Sequence, residues 1–62
     1  ENELYCKLEK LPAKYRVVIH LYYYEKMSVK EIGQALNKKE STVKTHLHRA
    51  RKLLREYFDE EE

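Results

Sequence analysis

Between residues 37 and 58 the apolar positions recur with the period of a helix. Taking Val43 as origin and advancing about 100° per residue, Val43, Leu47, Ala50, Leu54, Tyr57 and Phe58 fall within roughly 60° of one line. That line is predicted to be a buried seam. The opposite side gathers Ser41, Thr45, His48, Lys52 and Arg55, flanked by Lys44 and Arg49, and no acid interrupts it before Glu56. Hydrogen-bonding side chains thus stand near the start of this face and cations run along its length. A solvated surface helix has the same two faces, so the residues before it carry the distinction.

Those residues form a second, shorter helical signal. Ser28 followed three residues later by Glu31 is a capping box, in which the serine oxygen accepts from the Glu31 amide and the glutamate reaches back. Val29, Ile32, Ala35 and Leu36 supply an inner face, and Asn37, which tolerates a left-handed backbone, stands where the helix should turn off. The chain restarts as a helix within a few residues. Two helices joined so tightly, the second longer and basic, have the form of a helix-turn-helix over about residues 28–57, whose second helix enters the DNA major groove.

Upstream, residues 2–10 place Leu4, Tyr5 and Leu8 on one face of a short helix with Asn2 as its expected cap. Such a helix is too short to stand alone and must dock on the rest. Leu11-Pro12 punctuates, because proline suits a first helical turn and not an interior. The next helix, about residues 12–26, holds Tyr15, Val17, Val18, Ile19, Leu21, Tyr22, Tyr23 and Tyr24, apolar around most of its circumference and therefore central. The three tyrosines span about 200° of it, which predicts two core rings and one half-exposed ring. The alternative is a protein-binding surface that uses them. Gly33 stands mid-helix, where it costs about 1 kcal/mol relative to alanine. Its expected use is to let the following helix approach closely.

Composition narrows the function classes. A chain of 62 residues is one small all-α domain with a marginal core and no room for a catalytic cleft of ordinary size. It starts at Glu1 without a methionine, which suggests a domain excised from a longer protein. The single cysteine, Cys6, cannot form an internal disulfide and is expected to be a small apolar filler in a reducing, cytoplasmic setting. No signal peptide and no membrane-spanning run is visible. Net charge is only +2, but residues 28–58 carry eight basic and three acidic side chains, whereas Asp59, Glu60, Glu61 and Glu62 are all acidic. The basic patch suits a polyanion. The acidic tail is expected to be a frayed, solvated end, with a partner-binding or DNA-mimicking role as the alternative.

Nothing suggests an enzyme, a cofactor or a metal. His46 and His48 point about 160° apart on a helix and cannot share an ion. No serine or cysteine has a histidine at nucleophile spacing, and no glycine-rich phosphate loop exists.

In order and spacing, Leu11-Pro12, Tyr15-Arg16, Tyr23 to Glu25, Ser28 to Ile32, Thr42-Val43-Lys44 and His48 to Arg51 resemble the C-terminal promoter-recognition domain, region 4, of bacterial RNA polymerase sigma factors, especially the extracytoplasmic-function group. The resemblance covers about residues 11–55. It departs at the turn, where the family usually has Gly-Ile-Ser and this chain has Asn37-Lys38-Lys39. Lysine cannot cap a helix as serine does, so the cap is expected to pass to Ser41 or to water, leaving the first residue of the recognition helix open.

The resemblance implies a non-enzymatic, four-helix domain that binds the minus-35 promoter element and docks on the β-subunit flap of core RNA polymerase through an apolar outer surface. It also implies an anti-sigma protein as a further partner. Ser41, Thr42, Thr45 and His48 are the candidates for base contact. Lys38, Lys39, Lys44, Arg49 and Lys52 are the candidates for phosphate contact. Two alternatives stand beside this reading. One is the helix-turn-helix effector domain of response regulators and quorum-sensing activators, where Thr-Val-Lys-Thr-His is also common. The other is a helical protein-interaction domain without DNA binding, for which the low net charge and acidic tail speak.

Overall fold

The computed structural model describes residues 2–60. They form four helices: α1 (Asn2–Lys10), α2 (Ala13–Ile19) with a π-helical continuation (His20–Tyr24), α3 (Val29–Leu36) and α4 (Glu40–Asp59). Among the described residues there is no strand. The cap expected of Asn2 concerns a side chain outside the description. Pro12 opens α2 as expected, from the position just before the helix: its carbonyl accepts from the Tyr15 and Arg16 amides at 3.0 and 2.9 Å.

The helix expected through to Lys26 changes character at His20. The Glu25 amide reaches back five residues to the His20 carbonyl at 3.2 Å, and the segment ends on Lys26 in the left-handed region at φ 59°. An almost continuous apolar run has no periodic mark for such a widening. The Met27 amide then bonds the Leu21 carbonyl at 3.1 Å and turns the chain toward α3.

Helix α4 packs against α1, α2 and α3 and so organises the molecule. The core is Leu11, Val18, Ile19, Ile32, Val43, Leu47 and Ala50. Of the predicted α4 seam, Val43, Leu47 and Ala50 are buried, Leu54 and Tyr57 half-buried, and Phe58 lies at the rim. On the inner face of α3, Ile32 is buried and Val29 and Leu36 half-buried, while Ala35 is exposed, contrary to expectation.

The ends of the molecule depart further from the pattern. In α1 only Leu8 packs against the core; Leu4 is 42% and Tyr5 63% exposed. The buried side chain of α1 is instead Lys7, whose ammonium lies 5.6 Å from the Phe58 ring centroid, so its aliphatic stem covers apolar surface. Cys6 is exposed and is no core filler. Tyr22 is the one ring of its cluster that is half-buried, and Tyr23 and Tyr24 are exposed. Asp59 ends α4 and Glu60 follows it; both are exposed, and Glu60 meets the Lys10 ammonium at 3.7 Å. The Lys10 ammonium also lies 4.8 Å from the Tyr57 ring centroid. Glu61 and Glu62 lie outside the described residues.

Candidate nucleic-acid interface

The two helices of the motif are set by short-range chemistry. Ser28 Oγ accepts from the Glu31 amide at 3.1 Å and Glu31 Oε1 accepts from the Ser28 amide at 2.8 Å, so the capping box closes in both directions. At the far end Asn37 takes the left-handed conformation, φ 56° and ψ 50°, and the Lys38 amide bonds the Gly33 carbonyl at 2.8 Å. Gly33 is buried beneath this turn, and a Cβ there would lie 2.7 Å from the Lys38 carbonyl oxygen. The close approach expected of Gly33 is therefore to the turn backbone as it enters α4.

Helix α4 begins at Glu40, with Lys39 as its extended preceding residue. No side chain caps it, so Ser41 does not take the role expected of it; it sits exposed in the first turn. The Lys39 carbonyl accepts from the Val43 amide at 3.1 Å, and no side-chain cap serves the first amides of α4.

Along α4, Ser41, Thr45 and His48 are exposed on the outer face, and Thr42 is half-buried at its side. Lys44, Arg49 and Lys52 are exposed, as are Lys38 and Lys39 in the turn. Lys38 and Lys39 share a cleft of about 430 Å³ with Lys30, Gln34, Asn37 and Glu40. Lys30 was not singled out from the sequence; its spacing of four and seven residues from Gln34 and Asn37, which sets the three along one side of α3, was the available signal. Arg51, the last residue of the His-Arg-Ala-Arg run, turns away from this face. Its Nε donates to the Tyr23 hydroxyl at 2.8 Å, and its guanidinium lies 5.7 and 5.6 Å from the Tyr22 and Tyr23 ring centroids.

His46 separates the outer face from the core. Its ring meets Tyr15 edge-on, with centroids 5.4 Å apart and planes at 75°, and Nδ1 is enclosed without a partner. Burial, followed by the positive charges of Lys14, Lys38 and Arg49, holds its pKa below the ordinary 6.5. The ring is therefore neutral at pH 7. Among the described residues, no three His, Cys, Asp or Glu side chains are grouped to hold a metal ion, and no helix is long and apolar enough to cross a membrane.

A second surface lies on the other side of the molecule. Leu4, Leu8, Ile19, Tyr23, Tyr24 and Leu54 line an apolar groove of about 410 Å³, with Arg51 at its edge.

The family model described as sigma-70, region 4, matches residues 1–54. The chain is similar to the ECF RNA polymerase sigma factor SigW of Bacillus subtilis, 50% identical over 54 residues that cover 87% of this chain and 29% of that protein. It is 36% identical over 55 residues to the RNA polymerase sigma factor SigV of the same organism, covering 89% of this chain and 33% of SigV. To the ECF RNA polymerase sigma factor SigE of Mycolicibacterium smegmatis it is 38% identical over 56 residues, covering 90% of this chain and 22% of SigE. The chain thus spans a third or less of the length of the curated relatives it matches.

Proposed function

This chain belongs to the sigma-70 region 4 family, of the extracytoplasmic-function type, and from that premise we propose that it recognises the minus-35 element of a promoter during transcription initiation. Helix α4 enters the major groove with Ser41, Thr45 and His48 toward base edges and Thr42 at the margin. Lys38, Lys39, Lys44, Arg49 and Lys52 bind the flanking phosphates. The observation that carries this reading is the coincidence, on the uncovered face of α4, of exposed hydrogen-bonding side chains with exposed cations over the stretch the family model spans.

The apolar groove between α1 and the π-helical segment takes the second role, docking on the β-subunit flap of core RNA polymerase, and an anti-sigma protein is a further occupant of the same surfaces. Two exposed tyrosines and an exposed leucine beside a groove form the kind of amphipathic, aromatic surface that partners bury.

Selection from a pool of random duplexes tests the first role. Enrichment of a single short motif is expected, with affinity lost on scrambling it; a pool that stays unenriched rejects base-specific recognition. For the second role, Leu4→Ala with Tyr24→Ala should weaken binding to an isolated β flap and leave duplex binding unchanged. Equal flap binding by wild type and variant rejects it.

A further inference from the structure

The cleft of about 430 Å³ where α3 gives way to α4 brings together more charge than the outer face of α4 uses. Lys30 lines it from α3, Lys38 and Lys39 line it from the turn, and the carboxamides of Gln34 and Asn37 complete that side. Lys30, Gln34 and Asn37 follow one another at intervals of four and three residues, so they stand in line along α3. Seven residues at about 1.5 Å each make that line about 10 Å long. Among the described residues none of the three ammoniums is engaged in an ion pair. Gly33 lines the cleft without a side chain, and a Cβ there would meet the Lys38 carbonyl oxygen at 2.7 Å. The turn lysines therefore come this close to Lys30 and Gln34 because residue 33 is glycine.

The lining selects the class of ligand. It sets three cations against one carboxylate, that of Glu40, and contains no aromatic or large apolar side chain. A protein partner buries apolar and aromatic area, which the groove of Leu4, Tyr23 and Tyr24 offers and this cleft does not. Cations and carboxamides are the donors that proteins turn toward phosphodiester oxygens. Phosphates rise about 3.4 Å per nucleotide along one strand, so a line of about 10 Å spans about three of them. The cleft ends at Glu40, next in the chain to Ser41, where the proposed base-reading face of α4 begins.

Resting on the reading of this chain as a DNA-binding domain, we propose that this cleft holds a short stretch of one DNA strand by its backbone, with Lys30 and Gln34 of α3 as contacts beside Lys38 and Lys39. Helix α3 thereby joins the interface. Its contacts carry no sequence preference and fix the angle at which α4 enters the groove, since they grip the backbone from the helix that precedes it. Glu40 acts in the opposite sense. Its carboxylate lines the same cleft, repels the seated phosphates and lowers affinity for every duplex alike.

The test is fluorescence anisotropy of this chain with a short mixed-sequence duplex at fixed salt, after melting curves confirm that each variant is folded. Lys30→Ala is expected to weaken binding about three- to tenfold and Gln34→Ala about two- to threefold. Lys30→Ala should also flatten the dependence of log K on log salt by about 0.9, the contribution of one phosphate. Lys14→Ala removes the same charge from α2, outside the cleft, and at about 0.1 M salt, where distant charges are screened, should leave affinity within about twofold. Glu40→Gln should tighten binding about two- to threefold, a sign that partial unfolding does not imitate. If the wild-type chain binds duplex and Lys30→Ala and Gln34→Ala bind it equally well, or if Glu40→Gln weakens binding, the cleft is overturned while the DNA-binding reading stands. An oligoglutamate peptide supplies the remaining arm: Lys30→Ala losing affinity for the peptide and none for the duplex would assign the cleft to an acidic protein instead. A wild-type chain that binds no duplex overturns both the cleft and the reading on which it rests.

Discussion

A Cβ on Gly33 would stand 2.7 Å from the carbonyl oxygen of Lys38, closer than packed atoms approach. Gly33 has no positive φ, so it serves here through its lack of a side chain. The obstructing oxygen belongs to a backbone unit whose own amide is bonded to the Gly33 carbonyl at 2.8 Å, and it cannot rotate aside cheaply. In Gly33→Ala the gain in helix propensity, about 1 kcal/mol, opposes an overpacking cost of about 1–3 kcal/mol. The expected outcome is a net loss, with the thermal midpoint lowered by several degrees and duplex affinity reduced because the turn feeds directly into α4. A midpoint at or above that of wild type would show that the turn yields freely.

The two ends of the link between α2 and α3 should respond in opposite directions. Lys26 holds φ 59° although lysine has a Cβ, a conformation costing roughly 1 kcal/mol or more that glycine avoids. Lys26→Gly should raise the denaturation midpoint, by less than that cost because glycine also gains freedom in the unfolded chain. Ser28→Ala removes one half of the closed capping box and should lower stability by about 1 kcal/mol. Urea titrations of both variants check the pair of signs.

Within the His-Arg-Ala-Arg run the two arginines divide structure from binding. Arg51 holds Tyr23 by a 2.8 Å hydrogen bond and covers two tyrosine rings, so it ties the π-helical segment to α4. Arg51→Ala is expected to cost about 1 kcal/mol of stability, discounted for the exposure of the pair, and to leave duplex affinity within about twofold. Arg49→Ala should do the reverse. Melting curves and anisotropy titrations on the same preparations separate the two outcomes, and equal effects of both substitutions on binding would contradict the division.

His46 also makes stability depend on pH, with a sign fixed by the direction of its shift. Its folded pKa lies below the ordinary 6.5, first because of burial and then because of nearby cations, so the unfolded chain binds the proton more readily. The stabilising contribution is therefore fully present above pH 6.5 and is lost as pH falls from there through the folded value. Between about pH 7.5 and about pH 5.5 the wild-type melting temperature should fall. His46→Phe, which keeps a ring against Tyr15, should flatten that dependence, and a dependence as steep as in wild type would assign it to another group.

How far the sequence could be read follows from what kind of signal each feature leaves. The α3 boundaries were legible because Ser28, Glu31 and Asn37 act within a few residues of themselves, and the seam of Val43, Leu47 and Ala50 because burial imposes a period. The family resemblance, which the match over residues 1–54 supports, also chose between two helix-turn-helix readings that share this pattern. The exposure of Leu4, Tyr5 and Tyr24 was not legible, since apolar identity says that a residue can be buried and not that a neighbour exists to bury it. The π-helical widening lay in an almost continuous apolar run with no periodic mark, and nothing in the side chain of Lys26 signals a left-handed backbone. His46 was weighed only as a metal ligand. Its place against Tyr15 depends on α2 crossing α4, a tertiary fact with no trace in local spacing.

The division between reading and positioning on α4 gives the sharpest test of the proposed DNA interface. Ser41, Thr45 and His48 are exposed over the first turns of the helix, the part that inserts deepest in a helix-turn-helix, and each can donate or accept at a base edge. Lys44 is exposed too, but lies about 100° from the core seam, where a long cation swings to the backbone. Lys44→Ala should weaken binding to all duplexes alike and flatten the dependence of log K on log salt by about 0.9, the contribution of one neutralised phosphate. Thr45→Ala or His48→Ala should cost roughly 1–3 kcal/mol at the selected motif and leave binding to scrambled duplex nearly unchanged. The measurement is a competition between motif and scrambled duplexes at fixed salt, repeated for each variant. If Thr45→Ala and His48→Ala preserve the preference while Lys44→Ala abolishes it, the cation reads the bases and the polar pair only positions the helix.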